Sequence, residues 1–361
     1  MKHIKDSVYI IAEAGVNHNG DRDLAFSLVD AAAAAGVDAV KFQTFDAERL
    51  ASKKAPKAAY QKQSGDESES QLEMLKKLEL PKAWHQELQT HARLKGIEFL
   101  STAFDSESLV FLSTLDMPLF KVPSGELTNG PLLWHFAKTG KRLILSTGMA
   151  TLSEVEQGLA IVAHALEYSH EPQDMDEVWR NWGCQNVRQR LRGHVTLLHC
   201  TSQYPTPSNE VNLRAMDTLA TAFGLEVGYS DHTEGCLIPI AAVARGAKVI
   251  EKHFTLDRAL PGPDHKASLE PNELRQMVAD IRSLELALGD GHKSPQVSEW
   301  DTRKAARQQV VAARPISAGA VFSREDLTTA RSGHGIPPTA LWGLVGKHAK
   351  RGYGTGETIE L

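Results

Sequence analysis

From Val8 to Thr255 one pattern repeats along the chain: a short apolar run, a polar cluster, then a stretch with apolar residues at helical spacing. The runs are Val8–Gly15, Ala39–Phe45, Glu98–Phe104, Leu119–Gly125, Arg142–Ala150, Val195–Ser202, Glu226–Thr233 and Val249–Thr255. Each is continuously apolar in its first half, which predicts parallel strands buried on both faces. Between them, Asp23–Ala35, Leu152–Leu166, Leu213–Phe223 and Asn272–Leu288 carry the period of amphipathic helices. Ser153 with Glu156 predicts a capping box, and Pro271 a first helical turn. Gly36, Gly140, Gly224, Gly246 and Gly289 follow helical stretches, as C-terminal glycines do.

Eight alternating units predict an α/β fold, a (β/α)8 TIM barrel over residues 1–288. An open doubly wound sheet is the alternative and ranks lower, because the dinucleotide fingerprint and the Walker loop are both missing from the sequence. Two segments interrupt the rhythm. Asp46–Leu80 is a long polar connection containing SGDESESQ, and such a length in a βα loop is usually functional or mobile. Tyr168–Gly193 carries Trp179, Trp182 and a basic end, and reads as a surface excursion that packs its tryptophans locally. Residues 289–304 turn polar and read as a linker. Residues 305–361 are rich in Gly and Pro with short strand-like runs. They predict a small β-rich domain that buries little surface alone and therefore docks on something larger.

Composition narrows the function classes. With 361 residues two domains are expected, and 42% hydrophobic against 24% charged residues is the balance of a soluble globular protein. The net charge of -5, with signs interleaved, argues against nucleic acid and against an anionic membrane as partners. No apolar run reaches the length of a membrane span, and MKHIKDSVYIIAEAG meets Glu13 too soon for a signal peptide. Cys184, Cys200 and Cys236 are far apart and odd in number. They suit reduced thiols in a cytoplasm and do not form the pairs of a structural zinc site.

Barrel enzymes build their sites at the C-terminal ends of the strands. Those ends supply Glu13, Asn17 and His18; Lys41 and Gln43; Ser101, Thr102 and Asp105; Lys121, Ser124 and Glu126; Ser146 and Thr147; Thr201, Ser202 and Tyr204; Ser230, Asp231 and His232; and Glu251, Lys252 and His253. Lys41 and Lys121 lie inside apolar runs, where an unpaired ammonium is expensive. Either each pairs with a strand carboxylate such as Glu13 or Glu251, or the lysines and nearby hydroxyls form an anion pocket suited to phosphate or carboxylate. His232 and His253 end adjacent strands, as hydrogen-bonded structural groups or as ligands of an open metal site. An open site with two histidines and oxygens favours a Lewis-acid role and Mn2+ over structural zinc. Pro261–Asp264 makes a rigid turn that holds Asp264 over the barrel mouth, or merely lets it satisfy backbone N–H groups. Ser230 and His232 alternate along one strand and point the same way, leaving Asp231 between them as a structural anchor.

The segments IAEAGVNHNGD, AVKFQTF, FLSTAFD, KVPSGE, ILSTGMAT, LHCTSQYPTP, GYSDHT, IEKHFTLDR and PGPDHKASLEP, in this order, resemble the sialic acid synthase family. That family comprises N-acetylneuraminate synthases and the related N,N′-diacetyllegionaminate synthases. AARPISAGAVFSREDLTTARSGHGIPP resembles the SAF (antifreeze-like, β-clip) domain that follows the barrel in that family. The resemblance implies condensation of phosphoenolpyruvate with the open-chain aldehyde of N-acetylmannosamine to give N-acetylneuraminate and phosphate. The alternative sugar is 2,4-diacetamido-2,4,6-trideoxymannose, giving N,N′-diacetyllegionaminate.

Carried over by position, His232 and His253 match the Mn2+ ligands. Lys41, Thr102, Lys121, Ser124, Ser146, Ser202 and Ser230 match phosphoenolpyruvate contacts, with Ser202 standing where several synthases have Asn. Glu13, Gln43, Tyr204 and Asp264 match positions facing the sugar and the metal-bound water, Glu13 being the first choice for handling protons and Glu126 a weaker one. Arg331 matches an arginine that reaches the N-acyl group in the partner's barrel of a domain-swapped homodimer. Two other classes stand beside this one: a Schiff-base aldolase using Lys41, Lys121 or Lys252, and a non-catalytic polysaccharide-binding protein.

Overall fold

The computed structural model describes residues 7–52 and 70–360. Among them, the first strand, β1, spans Tyr9–Gly15, followed by β2 (Ala39–Thr44), β3 (Glu98–Ala103), β4 (Leu119–Val122), β5 (Arg142–Ser146), β6 (Val195–Cys200), β7 (Glu226–Asp231) and β8 (Val249–His253). All their ladders are parallel, in the order β3-β2-β1-β8-β7-β6-β5-β4. An open doubly wound sheet would reverse its strand order at a switch point. Here the order runs continuously round, and β3 and β4 lie next to each other where it meets itself. The result is a nearly closed TIM-like barrel with helices outside.

Side-chain parity explains what fills it. Along each strand alternate residues point inward. One inward layer is apolar: Tyr9, Ile11, Ala39, Leu100, Leu119, Ile144, Leu198 and Val249 form a single buried cluster. Two residues further along the strands, the same parity brings Glu13, Lys41, Thr102, Lys121, Ser146, Cys200, Ser230 and Glu251, one from each strand. The outward parity, such as Ile10, Ala12, Val40 and Phe42, packs beneath the helices in the main core. The barrel is therefore plugged by an apolar layer and floored above it by a polar one. At Gly228 a Cβ would come within 2.3 Å of the Val249 carbonyl oxygen, so the glycine keeps β7 close to β8.

Local chemistry accounts for the ends of elements. The helix Pro271–Leu288 starts with proline in its first turn, as expected. Gly36, Gly140, Gly224, Gly246 and Gly289 all have positive φ after their helices, a conformation cheap only for glycine. The capping box lies two residues earlier than the sequence suggests. Thr151 caps the helix Leu152–Glu167 with Glu154, because Thr-x-x-Glu precedes Ser-x-x-Glu and the helix begins at the earlier of the two. The strands end before the apolar runs do. β4 stops at Val122 because Pro123 has no N–H for a ladder, and the remaining residues of each run form the loops at the mouth.

The excursion Tyr168–Gly193 forms two short helices, Met175–Trp182 and Gln185–Gln189. Trp182 packs against the barrel core and donates to Glu156 at 2.8 Å, whereas Trp179 faces solvent, so only one tryptophan is packed. Of the Asp46–Leu80 connection, 53–69 and most of SGDESESQ lie outside the described residues. Its described ends form the helices Ala47–Leu50 and Gln71–Leu78.

The chain divides into two compact units, Met1–Gly289 and Asp290–Leu361. The polar stretch read as a linker carries a helix, Trp300–Ala306. The second unit pairs β9 (Gln308–Ala312) with β10 (Leu327–Arg331) in antiparallel register over a core of its own, including Val310, Phe322, Leu341 and Tyr353. Among the described residues no helix is long and apolar enough to cross a membrane.

Asp231 turns away from the barrel interior. It bonds the fully buried Lys252 at 2.5 Å and accepts from Thr233 N–H and Oγ1 at 3.1 and 3.0 Å. Removing one partner of a buried pair leaves an uncompensated charge. Asp231→Ala is expected to destabilise the barrel by about 3–5 kcal/mol, read as a lowered urea midpoint. A loss below ~1 kcal/mol would mean that the pair does not anchor β7 to β8.

Candidate active site

The polar layer forms the floor of a cavity of ≈ 490 Å³ at the C-terminal ends of the strands. Glu13, Gln43, Tyr204, Asp264, Lys41, Thr102, Lys121, Ser124, Ser146, Ser202, Ser230, Glu126, His232 and His253 all line it. Arg331 does not. It is exposed at the end of β10 in the second unit.

Four buried charges hold the floor together. Lys41 Nζ lies 2.6 Å from Glu13 and 3.6 Å from Glu251, and donates to Thr102 Oγ1 at 3.0 Å. Lys121 Nζ lies 2.7 Å from Glu251, which also accepts from Ser230 Oγ at 2.9 Å. Gln43 Nε2 donates to Glu13 at 3.1 Å. The carboxylate pairing that the sequence allowed for both lysines is thus present, and it coexists with a hydroxyl-lined cavity.

The two carboxylates are not alike. Burial alone would raise Glu251, but Lys121 and Lys41 hold it well below the usual carboxylate range. Burial raises Glu13, and Lys41 offsets this only in part. Burial would lower Lys41, yet Glu13 and Glu251 more than compensate, and it stays protonated. Glu13 is therefore the more easily protonated of the two carboxyls.

The hydroxyls rim this floor. Ser124 Oγ lies 3.1 Å from Cys200 Sγ and accepts from the Gly148 N–H at 3.0 Å. Ser146 Oγ is buried without a hydrogen-bond partner in the protein. A buried hydroxyl without a partner is costly, and a ligand oxygen in the cavity would satisfy it.

The histidines stand on the other side of the mouth. His232 Nδ1 donates to the Thr201 carbonyl at 2.7 Å, which fixes the tautomer and leaves Nε2 with a lone pair. Burial pushes His232 down to about 4. Burial, then the neighbouring His232, holds His253 well below its ordinary range. Both imidazoles are neutral at pH 7. Their ring centres are 5.5 Å apart, and the Tyr204 ring lies tilted by 35° against His232 with centroids 4.1 Å apart. His253 Nδ1 is buried with no hydrogen-bond partner and lies 3.8 Å from Asp264 Oδ2. Two neutral imidazoles, one nitrogen orphaned, beside a carboxylate are a donor set that fits a divalent metal. Among the described residues, a tighter group of three potential ligands occurs elsewhere, at His164, His170 and Glu177 in the excursion. There His170 bonds Glu177 at 2.9 Å and His164 Nδ1 accepts from Asn181 at 2.8 Å, while His164 Nε2 is buried without a partner.

Sequence reasoning passed over several residues. Cys200 belongs to the floor, Gly148 packs in the loop beside it, and Glu251, considered only as a lysine partner, organises the floor. Strand parity would have pointed to Cys200 and Glu251. Gly15 carries no such signal. It sits at a bulge in β1 with φ 54°, and a Cβ there would lie within 3.4 Å of Gln43, Glu13 and His253. At Gly148 a Cβ would fall 2.4 Å from Ser202 Oγ and 2.8 Å from Ser124 Oγ. Lys252, one of the Schiff-base candidates, is fully buried against Asp231 and the Thr233 carbonyl and does not line the cavity.

The NeuB family profile matches residues 28–293, and the SAF domain profile matches residues 307–360. The chain belongs to the NeuB family, the sialic acid synthases, and carries their C-terminal SAF domain. Among its NeuB-family relatives, N,N'-diacetyllegionaminic acid synthase of Campylobacter jejuni is 48% identical over 97% of this chain and 98% of that one. The enzyme of the same name from Legionella pneumophila is 46% identical over 97% and 93%. Human N-acetylneuraminate-9-phosphate synthase is 35% identical over 94% and 88%. The solved N-acetylneuraminic acid (sialic acid) synthetase of Leptospira borgpetersenii superposes with a TM-score of 0.66 at 34% identity, covering 82% of this chain and 90% of that one. These four relatives are synthases by name, and the chain is an enzyme of that family.

Asp264 supplies a pH signature. Burial, then the charge of Glu13, pushes its carboxyl up to about 7. The folded protein then holds this proton more tightly than the unfolded chain does. The associated stability is present below the ordinary carboxylate pKa and is lost as pH rises toward 7. In metal-free protein the stabilising effect of Asp264→Asn is expected to grow by roughly 2–3 kcal/mol between pH 5 and pH 8, measured by urea unfolding. A pH-independent difference would show that Asp264 ionises normally.

Proposed function

We propose that this enzyme condenses phosphoenolpyruvate with the open-chain aldehyde of 2,4-diacetamido-2,4,6-trideoxymannose, forming N,N′-diacetyllegionaminate and releasing phosphate. The observation that carries the chemistry is the combination in one cavity: Lys41 and Lys121, each paired with a floor carboxylate, the unpartnered Ser146 hydroxyl, and two neutral imidazoles. The choice of sugar is supported by the names of the relatives at 48% and 46% identity, whereas those named for N-acetylneuraminate 9-phosphate stand at 35% and 34%. That reverses the order of the two sugars suggested by motif resemblance. Condensation with N-acetylmannosamine to N-acetylneuraminate is the second reading, favoured by the sialic acid synthetase likeness.

In this proposal C3 of phosphoenolpyruvate bonds to the sugar aldehyde carbon, water adds at C2, and the C2–O bond to phosphate breaks. Lys41 and Lys121 neutralise the phosphate and carboxylate, with the hydroxyls of Thr102, Ser124, Ser146, Ser202 and Ser230 completing their hydrogen bonds. His232 and His253 would hold Mn2+ or another divalent cation, which supplies Lewis-acid polarisation of the aldehyde. Tyr204 braces the His232 ring from one side. Glu13, bonded to Lys41 and Gln43 and titrating above its usual range, takes the proton from the attacking water. Asp264 and Glu126 face the sugar side of the cavity. Arg331 belongs to a homodimer in which the SAF domain of one protomer reaches the N-acyl group in the barrel of its partner. Three free cysteines suit a reducing cytoplasm.

A Schiff-base aldolase needs an unprotonated lysine, and Lys41 is held protonated. Borohydride with pyruvate is expected to leave no reduced adduct, and a trapped lysine would overturn the synthase reading. Phosphate release from phosphoenolpyruvate with Mn2+ tests it directly. Release is expected with the diacetamido sugar and more slowly with N-acetylmannosamine; none with either would refute it. His232→Ala is expected to lower kcat on the order of 100-fold or more while leaving the melting temperature nearly unchanged. Full activity in that variant would remove His232 from the metal site.

A further inference from the structure

The cavity has two unlike sides. Its polar side comes from β4 onward: Lys121, Ser124, Ser146, Ser202, Tyr204 and the histidines. Above the polar groups that β1 to β3 add to the floor (Glu13, Lys41, Gln43 and Thr102), the wall toward the helix Gln71–Leu78 is largely apolar. Val16, Phe45, Met74 and Leu78 form a buried cluster there, and Leu50, Leu75 and Phe104 pack against it half-buried. All seven line the cavity. Phe45 and Phe104 meet edge to face at 6.1 Å, and the capping box of Ser70 with Glu73 fixes the start of the helix.

The strand order places this wall relative to the chemistry. Round the barrel β2 and β3 stand opposite β6 and β7. The histidines follow β7 and end β8, so an aldehyde held near them sends the far end of its chain across the mouth toward the wall. C6 is the carbon farthest from that aldehyde. These seven side chains include no hydrogen-bond donor, and their strongest acceptor is the weak thioether of Met74; the amide of Gln71 lines the cavity at the start of the same helix. A hydroxyl pressed there loses its water and gains no partner, whereas a methyl gains burial.

We propose that the wall formed by Phe45, Leu50, Met74, Leu75, Leu78 and Phe104 is the specificity determinant of this site, seating the C6 methyl of a 6-deoxy sugar and disfavouring a C6 hydroxyl. This rests on the synthase reading above and names the side chains that select among its sugars. An apolar pocket discriminates against an added hydroxyl by about tenfold to a hundredfold and no more.

The test compares 2,4-diacetamido-2,4,6-trideoxymannose with its 6-hydroxy counterpart, 2,4-diacetamido-2,4-dideoxymannose, which differs only at C6. The wild type is expected to favour the deoxy sugar in kcat/KM by about 10- to 100-fold. Met74→Gln, which keeps the side-chain length, and Leu75→Gln, at a half-buried position, are each expected to narrow that ratio at least threefold. The KM for phosphoenolpyruvate is expected to stay within twofold. A wild-type ratio below two, or a ratio unmoved in both variants, overturns the wall. Calorimetric binding of the two corresponding alditols reads the same preference without turnover. If neither sugar releases phosphate but the deoxy alditol binds more tightly, the condensation reading fails and the wall stands. If the alditols bind equally or not at all, the wall falls.

Discussion

Two lysines and two carboxylates buried in one layer are the constraint around which the barrel is organised. An apolar barrel interior would be simpler and at least as stable, since a buried ion pair seldom outperforms well-packed hydrocarbon. Here the charges sit one layer above a complete apolar plug, each within reach of an opposite charge. Glu251 is the hub, touching Lys121, Ser230 and Lys41 at once. The asymmetry between Glu251 and Glu13 follows from this geometry. The carboxylate with two ammonium neighbours stays ionised, and the one that shares Lys41 with it is the easier to protonate. A floor built this way is held together by its own ion pairs, without substrate.

The rest of the mouth is arranged by close backbone approach and by burial. Gly15 lets the end of β1 come up against Gln43, Glu13 and His253, and Gly148 lets a loop close over Ser124, Cys200 and Ser202. Burial keeps both imidazoles neutral, and neutral nitrogen is what a cation requires. Asp264 is carried over the opening by the Pro261–Asp264 turn and lies near enough to Glu13 for that charge to add to burial in raising its carboxyl. The cavity then divides the work by depth and side: hydrogen bonding and charge in the floor and over the later strands, shape and apolarity in the wall above the first three.

Much of this was legible in the chain. Runs apolar in their first half and polar in their second announce parallel strands whose ends carry chemistry, and the eight-fold repeat excludes most other folds. Lys41 and Lys121 stood out because an ammonium inside an apolar run demands a partner. Less visible were the partners themselves. Glu251 is a distant residue for Lys121 along the chain, and the ladder rather than local sequence brings them together. The capping box at Thr151 was misplaced because two overlapping patterns satisfy the same local rule. Trp179 and Trp182 look equivalent in sequence, and only packing against the barrel separates them.

The sequence by itself determined the alternation of strands and helices, the residue types at the strand ends and the family to which the chain belongs, because these depend on local periodicity and on ordered short segments. The tertiary structure alone decided which side chains share a layer, which carboxyl keeps its charge and which face of the cavity is apolar. Those properties arise from inward parity across eight strands and from the depth at which each group is withdrawn from water, and neither is a property of any one segment.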